Sequence, residues 1–300
     1  MQYVKAKMLK ELSEQSNIPD RHMNYLRDHY LQSNHSLQFD PFPFLNHNRQ
    51  KYQFIINDVQ CTASVVLAGV LASLKLTNTR LSDNTILFQG AGEVAFCIAS
   101  FCVMAMKKDG LSEADAVRKL WVVDNKGLIV KNRPNGGLNE YFSSFAHEHD
   151  PADTLAEAVE QIKPTILVGD AAIGGAFTPA ILKRMAEFND RPIIFALSNS
   201  TTLCDNRYIF PGVALAVICT GASTIPEEVF LISAEKLAGM VTSADLDKGS
   251  LYRPFDDYSL QIATTVTEFL YEAGFARVRP APTDKETFIK SQVASHNRTT

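Results

Sequence analysis

The sequence has no C-x-x-C pair and only 5 cysteines, an odd number. A disulfide framework and a zinc site are therefore not expected, and Cys61, Cys97, Cys102, Cys204 and Cys219 read as small core hydrophobes in a reducing compartment. Basic residues are not in excess. The 29 Lys and Arg stand against 33 Asp and Glu, a formal charge of -4, which points away from nucleic acid as a partner. Met1 to Lys7 holds no apolar signal core, and no apolar run is read as reaching the ~18 residues of a membrane span. The longest, Ile209 to Ala222, reads as a buried helix. Neither a membrane partner nor secretion is expected, and the location is read as intracellular, with cytoplasm and mitochondrion both open. Internal repeats and low-complexity tracts are absent too. With 15 Gly and 13 Pro in 300 residues, collagen, coiled coil and disorder are excluded.

What is present is a chain that is 46% hydrophobic, enough to build the core of one large or two smaller domains. Residues 1–60 are read as a helical remnant, its helices lying within about the first 50 positions and followed by the Pro/Phe loop Asp40 to Phe44, and residues 61–300 as the main domain with C-terminal helices. From Thr62 to Leu76 the run TASVVLAGVLASLKL is apolar nearly all round, which predicts a helix buried on several sides. Four short apolar runs then alternate with helical patterns: Asn84 to Gln89, Lys119 to Asp124, Pro164 to Val168 and Pro192 to Leu197. Continuous apolar strands between helices predict an α/β fold, a doubly wound parallel sheet of Rossmann-like type with flanking helices.

Gly90-Ala91-Gly92-Glu93-Val94-Ala95 follows a predicted strand and opens a predicted helix, the context in which a glycine fingerprint binds a dinucleotide. The first glycine makes the turn, the second lets backbone approach a pyrophosphate, and small Ala95 allows helix and strand to pack closely. The helix start, with Ala91 and Glu93 in the turn, offers unpaired N–H groups to the phosphates. The same turn also serves packing alone. Asp124, at the end of the next strand, suits the carboxylate that accepts from the ribose hydroxyls, or a plain turn former before Asn125-Lys126-Gly127. Lys126 suits a 2'-phosphate or solvent.

Asp40 and Asp58 are candidate oxygen ligands for Mg2+ or Mn2+; the simpler reading makes Asp58 a helix cap and Asp40 a turn residue. Asn199, in the turn after the fourth strand, and Asn206 suit a carboxylate substrate, or equally turns and caps. Gly169 to Phe177 is a small-residue turn suited to close backbone approach. His147 and His149 fall in no ligand spacing and read as solvated.

Six blocks in order, LSDNTILFQGAGEVA, LWVVDNKGLIVK, FAHEH, EQIKPTILVGDAAIGGAF, RPIIFALSN and IFPGVALAV, resemble the nucleotide-binding domain of malic enzymes. That family oxidises malate with NAD or NADP and a divalent cation, then decarboxylates the product to pyruvate. The resemblance implies that Gly90, Gly92, Ala95 and Asp124 serve the dinucleotide. It implies Asp58 for the metal, Asn199 for both the dinucleotide and the substrate, and Asn199 with Asn206 for the carboxylate of malate or a related small dicarboxylate. A full-length malic enzyme paralogue or a second copy of the chain is the implied protein partner.

The departures are specific. Gln38-Phe39-Asp40-Pro41 stands where the family carries an adjacent Glu-Asp pair. Asn57 replaces a second aspartate, Cys61 a glycine and Ser200 a proline. The family's tyrosine acid and lysine base belong to a preceding domain, so catalytic residues are not assigned within this sequence. The segment between Ser200 and Tyr208 is several tens of residues shorter than the family's, which removes a strand of the sheet. The expected outcome is malic-enzyme chemistry that this chain alone performs poorly or not at all. The alternatives are a non-catalytic NAD(P)-binding subunit or an incomplete form of a longer enzyme.

Overall fold

A computed structural model describes residues 57–134, 136, 140–171, 174–197, 208–222, 224–252 and 258–296. Asp40, Asn199, Asn206 and Cys204 lie outside the described residues, as do the helices expected over the first 50 positions.

A π-helical turn, Asn57–Cys61, runs straight into helix α1, Thr62–Thr77. Asp58 therefore sits inside a helical turn and does not cap α1. The cap position is Cys61, itself in helical conformation. The joined stretch Val59–Thr77 spans 19 residues at a mean hydropathy of 1.7, long and apolar enough to cross a membrane, which corrects the expectation that no such run exists. The polar residues Gln60 and Thr62 hide the run from a reading of uninterrupted apolarity. The protein itself supplies its surroundings: 78% of the most apolar window is buried.

Strand β1, Ile86–Gln89, leads through the glycine turn into α2, Glu93–Lys108, and a short α3, Glu113–Val117, precedes β2, Leu120–Asp124. β3, Gly127–Leu128, folds back on β2 as an antiparallel edge. Then follow α4, Leu155–Ile162, β4, Ile166–Gly169, α5, Pro179–Phe188, and β5, Ile193–Ala196. The sheet order is β3-β2-β1-β4-β5. β1 is parallel to β2 and to β4, and β5 is parallel to β4. The doubly wound sheet is as expected except for β3, whose two residues are too few to carry a period.

Alternation within the strands explains the layering. Ile86, Phe88, Leu120, Val122, Ile166 and Val168 face the larger core, built with α1 and α2. Leu87, Val123 and Leu167 face the smaller core, closed by α4 and α5 through Val159, Ile181 and Met185. A strand buried on both faces must be apolar at every position, which is why these segments read as continuous runs. Beyond the sheet come α6, Phe210–Thr220, α7, Glu228–Gly239, α8, Ser243–Asp247, α9, Tyr258–Glu272, and α10, Lys285–His296. α7 packs on α1, and α9 packs on α6.

β5 pairs with β4 on one side, and the sheet ends there among the described residues. The buried free thiols Cys61, Cys97, Cys102 and Cys219 are core residues, as expected. Burial pushes the Cys102 thiol up to about 12, which leaves it inert as a nucleophile.

Candidate functional site: the crevice at the end of the central strand

The chain leaves β1 toward β2 on one side and returns, after β2, to β4 on the other. This reversal is the switch point beyond the carboxyl ends of β1 and β4, the place where open α/β sheets bind their ligands. Two loops border it, the glycine turn after β1 and the small-residue turn after β4.

The glycine turn is built as the fingerprint requires. Gly90 adopts φ +120, and a Cβ there would lie 2.9 Å from the Asp170 carbonyl carbon and the Ala171 amide nitrogen. A side chain is excluded by both conformation and space. Its N–H donates to the Val123 carbonyl at 2.8 Å, which ties the turn to β2. Gly92, exposed and extended, is the N-cap of α2 without a capping side chain. The N-cap itself caps none of the first-turn N–H groups, and one of them, that of Ala95, is met from outside the helix by the Asp170 carboxylate. A Cβ on Gly92 would meet one atom within 4 Å, the Asp170 carboxylate Oδ2 at 3.7 Å. Ala95 is fully buried where α2 crosses the sheet, the close packing expected of a small residue. Ala91 and Glu93 are half-buried in the turn.

Asp124 closes β2 beside this turn. Its Oδ1 accepts from the Lys126 amide at 2.8 Å, so the turn-forming reading holds in full. The carboxylate also binds Arg133 in two parallel bonds, Nη1 to Oδ1 at 2.8 Å and Nη2 to Oδ2 at 2.9 Å. The two side chains are 16% and 3% exposed. Arg133 is fixed from its other edge, where Nε donates to the Gly136 carbonyl at 3.1 Å. A carboxylate offers about four lone-pair directions. Three are taken here, which leaves one direction open.

The described residues hold no group of three His, Cys, Asp or Glu able to ligate a metal. Asp58 contributes one carboxylate-bearing position at the start of the long helix, and no step is assigned to a cation. His147 departs from the solvated reading. It is half-buried against Trp121, with ring centroids 4.1 Å apart, and its Nε2 lies 2.7 Å from the Leu120 carbonyl oxygen. Burial holds its pKa below the usual value. His149 is exposed as expected.

Two residues that sequence reasoning missed stand out. Arg133 lies in an irregular segment, and only its nine-residue spacing from Asp124 hints at the pair. Asp170 was hidden in a run of small residues after β4. Its carboxylate Oδ2 accepts the Ala95 amide N–H at 3.1 Å, and burial pushes its pKa up to about 6, against the opposing pull of that hydrogen bond.

A glycine turn between strand and helix at the reversal point of a doubly wound sheet defines a Rossmann-like α/β domain. The family model described as "Malic enzyme, NAD binding domain" matches residues 59–205 and 200–271. The chain belongs to the malic enzyme family, and this part of it is the NAD-binding domain. Among similar proteins, the NADP-dependent malic enzyme of Rattus norvegicus is 45% identical over 298 residues, 85% of this chain and 52% of the relative. The mitochondrial NADP-dependent malic enzyme of Mus musculus is 41% identical, covering 84% of this chain and 48% of the relative. The chain thus spans about half the length of the curated relatives it matches. The crystal structure of the Entamoeba histolytica malic enzyme superposes with a TM-score of 0.65 at 16% identity, over 86% of this chain and 58% of that one. That of the Pyrococcus horikoshii malic enzyme gives 0.65 at 19%, over 86% and 64%. At those identities the likeness is one of fold.

Proposed function

We propose that this chain binds a nicotinamide dinucleotide at the β1–α2 turn and carries the chemistry of malate oxidative decarboxylation, which it performs weakly or not at all on its own. The observation behind the binding half is the glycine turn. Gly90 has room for no side chain, Gly92 leaves backbone open to approach, and α2 presents its N-terminal N–H groups. When bound, the dinucleotide would supply the hydride acceptor. The chain's own part is to hold the pyrophosphate at Gly90, Ala91, Gly92, Glu93 and Ala95 and the ribose at Asp124. Arg133 holds the Asp124 carboxylate in place, and Asn199 and Asn206 are assigned to the substrate carboxylate. Residues 61–300 form this nucleotide-binding unit, and residues 1–60 supply part of a metal segment.

The catalytic half rests on the donor set. Asp40 and Asp58 are the carboxylates assigned to Mg2+ or Mn2+, while Pro41 stands where the family resemblance implies one more ligand and Asn57 where it implies an aspartate beside the ligand. Fewer anionic ligands mean weaker binding of a hard cation. The test is pyruvate formation from malate by the folded chain with Mn2+ and either NAD or NADP, beside a full-length malic enzyme as control. Expected is turnover well over tenfold below the control, as a cation site short of one carboxylate implies. Turnover within tenfold of the control, lost in Asp58→Ala, overturns the reading.

A second reading, a non-catalytic subunit of a full-length malic enzyme paralogue or of a second copy, is favoured by the apolar residues left outside the core. Ile218 is 69% exposed and Phe210, on the same face of α6, 37%. Such residues mark a contact surface when they cluster. Co-purification with the full-length enzyme, reduced by Ile218→Lys, is its expected signature.

A further inference from the structure

Asp170 is an anion held where the dinucleotide's own anion would go. Its backbone is fixed by the sheet, since its N–H donates to the Gln89 carbonyl at 2.7 Å and Gly90 packs against its carbonyl carbon. Its Oδ2 takes the Ala95 N–H at 3.1 Å. That amide belongs to the first turn of α2, whose N–H groups have no partner within the helix. The same carboxylate oxygen is the closest atom to the open side of Gly92. First-turn amides and an approachable glycine are the two features by which this kind of turn holds a pyrophosphate. The family match over residues 59–205, described as an NAD-binding domain, points independently to that ligand.

We propose that Asp170 is an internal competitor for the dinucleotide's pyrophosphate, so that binding at the glycine turn is coupled to the uptake of one proton by its carboxylate. This rests on the turn being the dinucleotide site, as read above. A carboxylate and a phosphate oxygen sharing one helix start repel, and the repulsion is strong where water is partly excluded. Once protonated, the side chain loses its charge and turns from acceptor to donor, so it can bond a phosphate oxygen instead of displacing it. The proton comes from solvent, and no other group needs to change charge.

Among the described residues no cation contributes to the carboxylate's environment. The β1–α2 turn contributes one titratable residue, Glu93, of the same sign. Across the crevice, Asp124 is bound to Arg133. The described part of the β4–α5 loop, including Ala171, Gly174 and Gly175, and the β5 end at Leu197 bring no titratable side chain. Burial raises the carboxyl to about 6, and none of these charges contributes to that shift. The carboxylate is therefore an anion at pH 8 and largely neutral at pH 5.5.

The test is calorimetric titration of the full chain with ADP-ribose, whose pyrophosphate stays doubly charged between these two pH values. Wild type is expected to bind at least tenfold more weakly at pH 8 than at pH 5.5. At pH 7 it is expected to take up close to one proton per ligand, read from buffers of different ionisation enthalpy. Asp170→Asn keeps the oxygen that accepts from Ala95 and removes the charge. It is expected to bind at pH 8 within threefold of wild type at pH 5.5, without proton uptake, and Asp170→Ala is expected to be equally independent of pH. If wild type and both variants bind alike at pH 8, Asp170 is not a competitor and the dinucleotide reading stands. If folded wild type and folded variants, each shown by a cooperative melt, all fail to bind at either pH, both readings fall.

Discussion

Individual side chains at the crevice carry opposing demands of stability and binding. Asp170 has its pKa raised to about 6 from the ordinary 3.8, so the folded state holds its proton more tightly than the unfolded chain does. Stability then falls as pH rises from about 4 to about 6 and stays lowered above that range. Asp170→Asn is expected to be more stable than wild type at pH 8 by about 2 kcal/mol, with the difference fading toward pH 4. Urea unfolding at pH 4.5, 6 and 8 measures it, and an unchanged difference across the three would contradict the burial account. Asp124 and Arg133 form a two-bond ion pair whose side chains are mostly buried. Arg133→Met should cost about 3 kcal/mol by leaving a mostly buried carboxylate alone, and Asp124→Asn added to it should recover a large part. Additive losses in that double-mutant cycle would mean the pair is not coupled. Neither interaction was legible as such in the sequence. The motif reading placed Asp124 correctly at a strand end beside the glycine turn, but a partner nine residues away in an irregular segment carries no period to read.

At the scale of elements, end signals agreed with the chain's own chemistry where the pattern was local. α4 opens on a capping box: the Thr154 hydroxyl accepts the Glu157 N–H at 3.2 Å, and the Glu157 carboxylate accepts the Thr154 N–H at 3.2 Å. Thr154→Ala should therefore cost about 1 kcal/mol, read as a lowered urea midpoint at unchanged slope. The four parallel strands were readable because burial on two faces demands apolar residues at every position. The extension of the long helix back to Val59 was not, since Asn57, Asp58 and Gln60 break the apolar run while the backbone continues as a π-helical turn. β3 escaped for a different reason. Its two residues are held by pairing with Val123 and Asp124, a contact that no two-residue window encodes.

For the whole molecule, the sheet joins two cores that would otherwise be separate. Leu87 faces the smaller one and its neighbours Ile86 and Phe88 the larger, so loss of β1 packing is felt on both sides. Leu87→Ala is expected to cost about 3 kcal/mol. Unfolding followed by the one tryptophan, Trp121, which packs against the smaller core, should coincide with the loss of helical circular dichroism, since both cores share the sheet. Separate midpoints would show that the faces unfold independently. The sequence by itself determined the alternation of strands and helices, the two-sided burial of the sheet and the position of the glycine turn, because each is a local pattern of apolarity, period and backbone freedom. Only the tertiary structure decided that Asp170 meets Ala95 across 75 residues and that Arg133 occupies Asp124. Which loops face each other depends on strand order and register, and those are set by long-range packing of the whole core.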